Sequence, residues 1–305
     1  MRGDGKTYKW SLRRGGREER CPKCGKMRFV PYVLTADPTV KAGPEYGRCN
    51  RENSCGYFRY PGSDVKADTD REYTPEPPKE PILFSPDLAE RDAVTTSNSL
   101  FHAYAPLVGA VRLYKVMTMY KCGTGGRGEC IYYQYDGTHV RTAKAILYGS
   151  DGHRLKREDG GLPVWWLHKA PTMMPYTAGK ELRQCLFGQH LLKTETAAGM
   201  RIYIVEGEKT AVLMAATDHP GRNRLWLACG GSQMLKGAID LMPLMGCEVT
   251  LVPDDGQYWN WRRTADAYGW RCLDIEPLKR YHRLPDGCDI WDCKEDALRK
   301  EGDNE

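Results

Sequence analysis

The chain has 305 residues, 41% of them hydrophobic, a formal net charge of +5 and twelve cysteines. That length suggests two or three compact units rather than one core, and the apolar fraction is ample for globular packing. No apolar run reaches the length needed to cross a bilayer, and Met1-Arg-Gly-Asp-Gly lacks the apolar stretch of a signal peptide, so a cytoplasmic protein with no membrane partner is expected.

At the amino end, Cys21-Pro-Lys-Cys24-Gly and Arg48-Cys49-Asn-Arg-Glu-Asn-Ser-Cys55-Gly-Tyr form two cysteine pairs. The spacing lets Cys21, Cys24, Cys49 and Cys55 reach one tetrahedral Zn²⁺. A redox pair should open a helix after a strand, whereas the residues after Gly25 read as turn and strand, and disulfides lack a secretory context. Four protein ligands leave no open position, so the zinc is expected to be structural. Residues 1–60, a zinc-ribbon-like module, carry fourteen Lys or Arg against six Asp or Glu, a balance of +8 that leaves −3 for the remainder. With Tyr32, Tyr46, Tyr57, Phe58 and Tyr60, this basic module fits a phosphate-tracking, base-stacking surface. Solvated charge over a small aromatic core accounts for part of the same set.

Residues 61–82 are polar, acidic and proline-rich and read as an extended linker. Residues 83–198 read as a mixed α+β region. Pro86 to Tyr104 suggests an interrupted helix, Val111 to Tyr120 a strand, and Cys130 to Tyr148 a hairpin turning at Asp136-Gly137. Cys122 and Cys130 flank a glycine-rich stretch that fits a hairpin loop better than a second metal pair, because further ligands are lacking. Arg141, Lys144, Arg154, Lys156 and Arg157 form a basic strip, which is either a nucleic-acid contact or a solvated hairpin face.

Residues 199–305 alternate strand and helix patterns. Ile202 to Val205 runs into Glu206-Gly207 and a helix. Leu225 to Cys229 runs into Gly230-Gly231 and a helix over Gln233 to Met242. Glu248 to Val252 runs into Pro253-Asp254-Asp255-Gly256, a helix over Tyr258 to Tyr268 and a strand over Trp270 to Ile275. Strands separated by such helices imply a mainly parallel sheet flanked by helices, an α/β fold with its strand ends along one edge. That edge would gather Glu206, Gly230, Gly231, Asp254 and Asp255, a set suited to Mg²⁺ bridging to a nucleotide. Asp-Asp-Gly alone is commonly a turn.

The order of a four-cysteine module, a basic hairpin region, Val-Glu206-Gly-Glu-Lys and a second acidic strand end resembles a Toprim primase of the bacterial and phage type. It is similar, more narrowly, to Toprim-like proteins from mobile elements of Bacteroides-like bacteria, in which Cys-Pro-Lys-Cys, Tyr-Gly-Arg-Cys, Leu-Phe-Gly-Gln-His-Leu-Leu and Val-Glu-Gly-Glu-Lys-Thr recur. The resemblance implies a Toprim-like sheet, Glu206 as general acid/base or metal ligand, Asp254 as the first Asp of a Mg²⁺ or Mn²⁺ motif, and the four cysteines as zinc ligands. Gly287-Cys-Asp289-Ile-Trp-Asp292 resembles the Asp-containing motif that follows such sheets, which implies that Asp289 joins the metal site. Toprim enzymes usually carry Asp-x-Asp, but Gly256 stands at the second position, which leaves Asp255 or Asp289 to replace it, or a site that binds metal poorly. Lys209 would neutralise a nucleotide phosphate or pair with Glu208. The function implied is primer synthesis on single-stranded DNA from nucleoside triphosphates. No Gly-x-x-x-x-Gly-Lys-[Ser/Thr] loop is present, so a helicase or replication protein would be a separate partner. A non-catalytic nucleic-acid-binding module and a metal-dependent nuclease are the alternatives.

Overall fold

The computed structural model describes residues 8–15, 18–51, 55–62, 65, 79–156, 164–192, 199–218, 223–239 and 247–302. Most of the expected linker lies outside these residues. The chain divides into two units, Met1–Pro78 and Lys79–Glu305.

In the first unit, β1 (Trp10–Leu12), β2 (Glu19–Arg20), β3 (Met27–Leu34), β4 (Gly47–Cys49) and β5 (Phe58–Arg59) form an antiparallel sheet. The order is β1-β3-β4-β5, and β2 also pairs with β3. Its core is two small clusters, one of Phe29 with Cys21, Cys49 and Cys55, the other of Trp10, Tyr32 and Leu34. Gly47 is required by close packing, because a Cβ there would lie 2.4 Å from both the Phe29 ring and the Val30 carbonyl oxygen.

The second unit opens with α1 (Asp87–Arg91), α2 (Ser99–Val108) and α3 (Ala110–Met119). Asn98 caps α2 by accepting the N–H groups of Leu100 and Phe101. The strand expected over Val111 to Tyr120 is in fact α3. Its β-branched and aromatic residues suggest a strand, but Leu113, Met117 and Tyr120, spaced by four and three, are the ones buried, and that is a helical face.

Next, β6 (Cys122–Thr124), β7 (Cys130–Tyr135), β8 (Val140–Ile146) and β9 (Trp165–Trp166) pair antiparallel in that order. The β7–β8 hairpin turns where expected, with the Asp136 carboxylate accepting the N–H groups of Thr138 and His139 at 2.8 Å each. Strand β7 is buried on both faces, Cys130 and Tyr132 in the main core, Ile131 and Tyr133 in a smaller one. The short α4 (Met174–Thr177) follows.

The remaining elements are β10 (Arg201–Val205), α5 (Glu208–Thr217), β11 (Arg224–Ala228), α6 (Leu235–Ile239), β12 (Glu248–Val252), α7 (Tyr258–Tyr268), β13 (Arg271–Cys272), α8 (Glu276–His282) and α9 (Ile290–Gly302). All four strands are parallel, in the order β11-β10-β12-β13. Ile202, Ile204, Val205, Leu227 and Leu251 are fully buried or nearly so, as a parallel sheet covered on both faces requires. The last strand is shorter than expected, and α6 ends at Ile239 because residues 240–242 of the expected helix lie outside the described set. From β10 the chain moves to β11 on one side and then to β12 on the other. The ends of β10 and β12 therefore flank a topological switch point, where open α/β sheets form their crevice. Among the described residues, no helix is long and apolar enough to cross a membrane.

Candidate functional site

The ligand sulfurs of Cys21, Cys24, Cys49 and Cys55 all lie within 4.8 Å of one another. The Cys21–Cys55 and Cys24–Cys49 separations are 3.8 and 3.9 Å. A tetrahedron with Zn–S bonds of about 2.3 Å has edges of about 3.8 Å, so the four thiols fit the ion. The Lys26 N–H, donating to sulfur, draws the Cys24 thiol down to about 6. Burial pushes Cys49 up to about 11 and Cys55 upward, against N–H groups of Arg51 and Tyr57 that favour their thiolates. Phe58 and Tyr60 are exposed, while Tyr32, in the other small cluster, is buried edge-on beneath both. Tyr57 donates its hydroxyl to the Glu45 carbonyl, and Tyr46 lies under the Arg59 guanidinium. Two of the five aromatics named from the sequence thus face solvent freely.

In the second unit the register pairs Val205 with Val252, so Glu206 and Asp254 leave neighbouring strands almost level. The Asp254 N–H donates to Glu206 Oε1 at 3.3 Å. Burial raises the Glu206 pKa and the Asp289 charge adds to it, while N–H groups of Asp254 and Ser232 oppose both. Burial, then the charges of Glu206, Asp289 and Asp292, push Asp254 up to about 8, which Lys209 offsets only in part. Asp289 stands at the start of α9, where it and Asp292 exchange backbone N–H bonds at 3.0 and 2.8 Å, a capping box built from two aspartates. The second Asp289 oxygen accepts the Thr210 hydroxyl. Glu206, Asp254, Asp289 and Asp292 thus press negative charge on one another at the switch point.

Lys209 lies beside them, its ammonium 5.7 Å from the Tyr104 ring centre and 3.5 Å from its hydroxyl. Burial disfavours its charge, but Tyr104, Asp289 and Asp292 outweigh that and raise its pKa. A groove of about 480 Å³ lined by Lys209, Asp289, Asp292, Glu295 and His153 opens here. Of the two partners open to Lys209 from the sequence, a nucleotide phosphate or Glu208, Glu208 is taken by another residue. It is bound by Lys144 at 2.6 Å, with both side chains largely buried.

Asp255 does not join the carboxylates. Following Asp254 directly, it projects the other way, accepting from Lys279 at 2.8 Å and from the Gly287 N–H at 3.0 Å. Those bonds hold its carboxyl below the usual carboxylate range. The basic strip is divided as well. Arg141 pairs with Asp136 at 2.6 Å, and Lys144 serves Glu208 and the Gly230 carbonyl, so neither is a free cation. Arg154 and Lys156 are exposed, with no ion pair among the described residues, and Arg157 lies outside them. Gly230, at φ 88°, leaves room for Glu208 Oε1 and Gln134 Nε2, which a Cβ would approach to 3.2 and 3.3 Å. Gly231 is in an open position at φ 153°, and the N–H that follows it, of Ser232, is turned onto Glu206. Cys122 and Cys130 sit on the paired strands β6 and β7, joined by the glycine-rich loop.

Sequence reasoning placed Asp292 inside a motif without giving it a role, and it missed the Thr210 and Lys144–Glu208 contacts. The Asp289-x-x-Asp292 spacing carried a signal, since it is that of a capping box. The other contacts are long-range and leave no local trace.

A model for a zinc beta-ribbon finger matches residues 8–70. Among solved structures, the primase fragment of the bacteriophage T7 primase-helicase protein aligns with a TM-score of 0.37 and 14% identity, over 94% of this chain and 97% of that chain. Among curated proteins, none matches. Residues 98–255, more than half of the chain and including Glu206 and Asp254, match the model described as a domain of unknown function, DUF6371, and the chain belongs to that family.

Proposed function

We propose that the chain is a Toprim-type, primase-like nucleotidyltransferase that makes short primers on single-stranded DNA. The observation that carries this reading is the meeting of Glu206 and Asp254 at the switch point, with Asp254 pushed up to about 8 by burial and by the neighbouring carboxylates. Lys209 offsets only part of that charge, and the donors are all oxygens, the ligand type that a hard divalent cation takes. Glu206, Asp254 and Asp289 would hold Mg²⁺ or Mn²⁺, which when bound supplies charge stabilisation for phosphoryl transfer. Lys209, held in place by Tyr104, would meet a phosphate of the nucleoside triphosphate at the groove wall. The zinc ribbon, with Phe58 and Tyr60 exposed near Arg48 and Arg59, suits stacking and phosphate tracking along a template. A helicase or other replication protein would act as a separate partner.

The test is oligonucleotide synthesis by zinc-loaded protein given Mg²⁺ or Mn²⁺, nucleoside triphosphates and single-stranded templates. Product that disappears with Glu206→Ala supports the reading, and no product from well-folded wild type would sink it.

A second reading, a nucleic-acid-binding module without catalysis, is favoured by one observation. Asp255 is taken up by Lys279 and Gly287, and Asp289 spends both oxygens on a helix cap and Thr210. Calorimetric titration with Mg²⁺ and Mn²⁺ decides between them. Tight binding that is lost with Asp254→Ala counts against the second reading, and template binding with no metal affinity counts for it.

A further inference from the structure

We infer that the outer face of α7, centred on Trp259, is a stacking site for single-stranded nucleic acid next to the carboxylate edge. The indole is 76% exposed, unusual for a residue that folded chains mostly cover. Its aromatic neighbour is Tyr258, edge-on at 5.0 Å, which leaves most of the ring open. The side chain is not on a loose segment. The Gln257 N–H donates to the Asp254 carbonyl and the Trp261 N–H to the Gln257 carbonyl, both at 3.1 Å, which closes the turn between Asp254 and the helix. Trp261 and Ala265 then bury the inner face, so Trp259, Arg262 and Arg263 look outward.

The surrounding charge selects the occupant. Arg262 is paired with Asp266 at 2.7 Å. Arg263 donates to the Trp259 carbonyl and to Asn260 Oδ1 and has no carboxylate partner among the described residues. One open π-face beside one uncompensated guanidinium is the combination that stacks a base and meets its phosphate. A protein partner would call for a contiguous apolar centre, whereas the exposed residues that follow Trp259 on α7 include the polar and charged Asn260, Arg262, Arg263 and Asp266. Trp259 lies five positions after Asp254, so their Cα atoms lie at most about 18 Å apart. A strand whose reacting end sat at the carboxylates would pass the indole within a few nucleotides.

The inference rests on the phosphoryl-transfer reading for why a strand passes this edge, but its binding test does not. Affinity of the full-length, zinc-loaded protein for a labelled oligothymidylate is measured by fluorescence anisotropy without Mg²⁺ or nucleotides. The variants are Trp259→Ala, Trp259→Phe and Arg263→Ala, alone and with Phe58→Ala to remove a ribbon contribution. Trp259→Ala should weaken binding about tenfold, Trp259→Phe should retain most of it, and Arg263→Ala should lower the salt slope by about one. Crosslinking with an iododeoxyuridine-substituted strand should label the α7 peptide. Unchanged affinity in Trp259→Ala together with no α7 crosslink overturns the inference. Loss of self-association instead of oligonucleotide binding also overturns it, assigning the face to a second copy of the chain. Wild-type protein that binds through Trp259 yet makes no primer refutes the catalytic reading and leaves this one standing.

Discussion

Asp136 and Asp254 are both partly buried aspartates driven in opposite directions by their neighbours. Burial works against the Asp136 charge, but N–H groups of His139 and Thr138 and the Arg141 guanidinium outweigh it and hold its carboxyl low. Because the folded value is depressed, this contribution is fully present above the unfolded value of about 4 and is lost as pH falls through the folded value. The urea midpoints of wild type and Asp136→Asn should therefore differ near neutrality and converge below about pH 4. Asp254 lacks such partners and faces like charges. Asp254→Asn should raise the stability of the metal-free protein by about 1–2 kcal/mol in urea unfolding while removing its response to added Mg²⁺. Lys144 shows the converse case. Replacing it with Met strands the Glu208 carboxylate in a buried position, and about 3–5 kcal/mol of stability should be lost.

At the scale of elements, α9 begins with a cap that is also a candidate metal ligand, and two substitutions separate the roles. Asp289→Asn keeps a capping oxygen, so its thermal midpoint should stay near wild type while calorimetric Mg²⁺ affinity falls. Asp289→Ala should lose that affinity and also about 1 kcal/mol of stability. In the ribbon, Gly47→Ala would drive a methyl group into the Phe29 ring and the Val30 carbonyl at the cluster that holds the cysteines. It should cost about 1–3 kcal/mol and lower zinc occupancy measured by a colorimetric chelator. Helix α3 reads differently in sequence and in structure. Its residue types favour a strand, and only the burial of Leu113, Met117 and Tyr120 against the core exposes the helical period. By contrast, the alternation of buried strands with helices from β10 to α7 is dense enough to read directly.

For the whole molecule, the two units should answer differently to metal removal. The first unit is built around four converging thiols and two small clusters, while the second has an extensive core around its parallel sheet. A thiol-reactive mercurial should release one zinc per chain and unfold the ribbon, with most helical circular dichroism retained because the described helices lie in Lys79–Glu305. Loss of helical signal in step with zinc release would contradict this division.

The sequence by itself determined the four cysteine ligands, since CxxC spacing within a turn admits few other uses. It also determined that the strands run mainly parallel and that Glu206 and Asp254 stand at their ends, because strand-helix alternation forces the carboxyl ends onto one edge. Only the tertiary structure decided which charges remain available. Arg141 and Lys144 are consumed by Asp136 and Glu208, Asp255 by Lys279, and Asp289 is shared with a helix cap. Trp259, an unremarked residue of a helix pattern, is left open beside Arg263, which has no carboxylate partner among the described residues. Pairing between charges depends on which side chains the fold brings within a few ångströms, and residues such as Lys144 and Glu208, far apart along the chain, carry no local mark of that meeting.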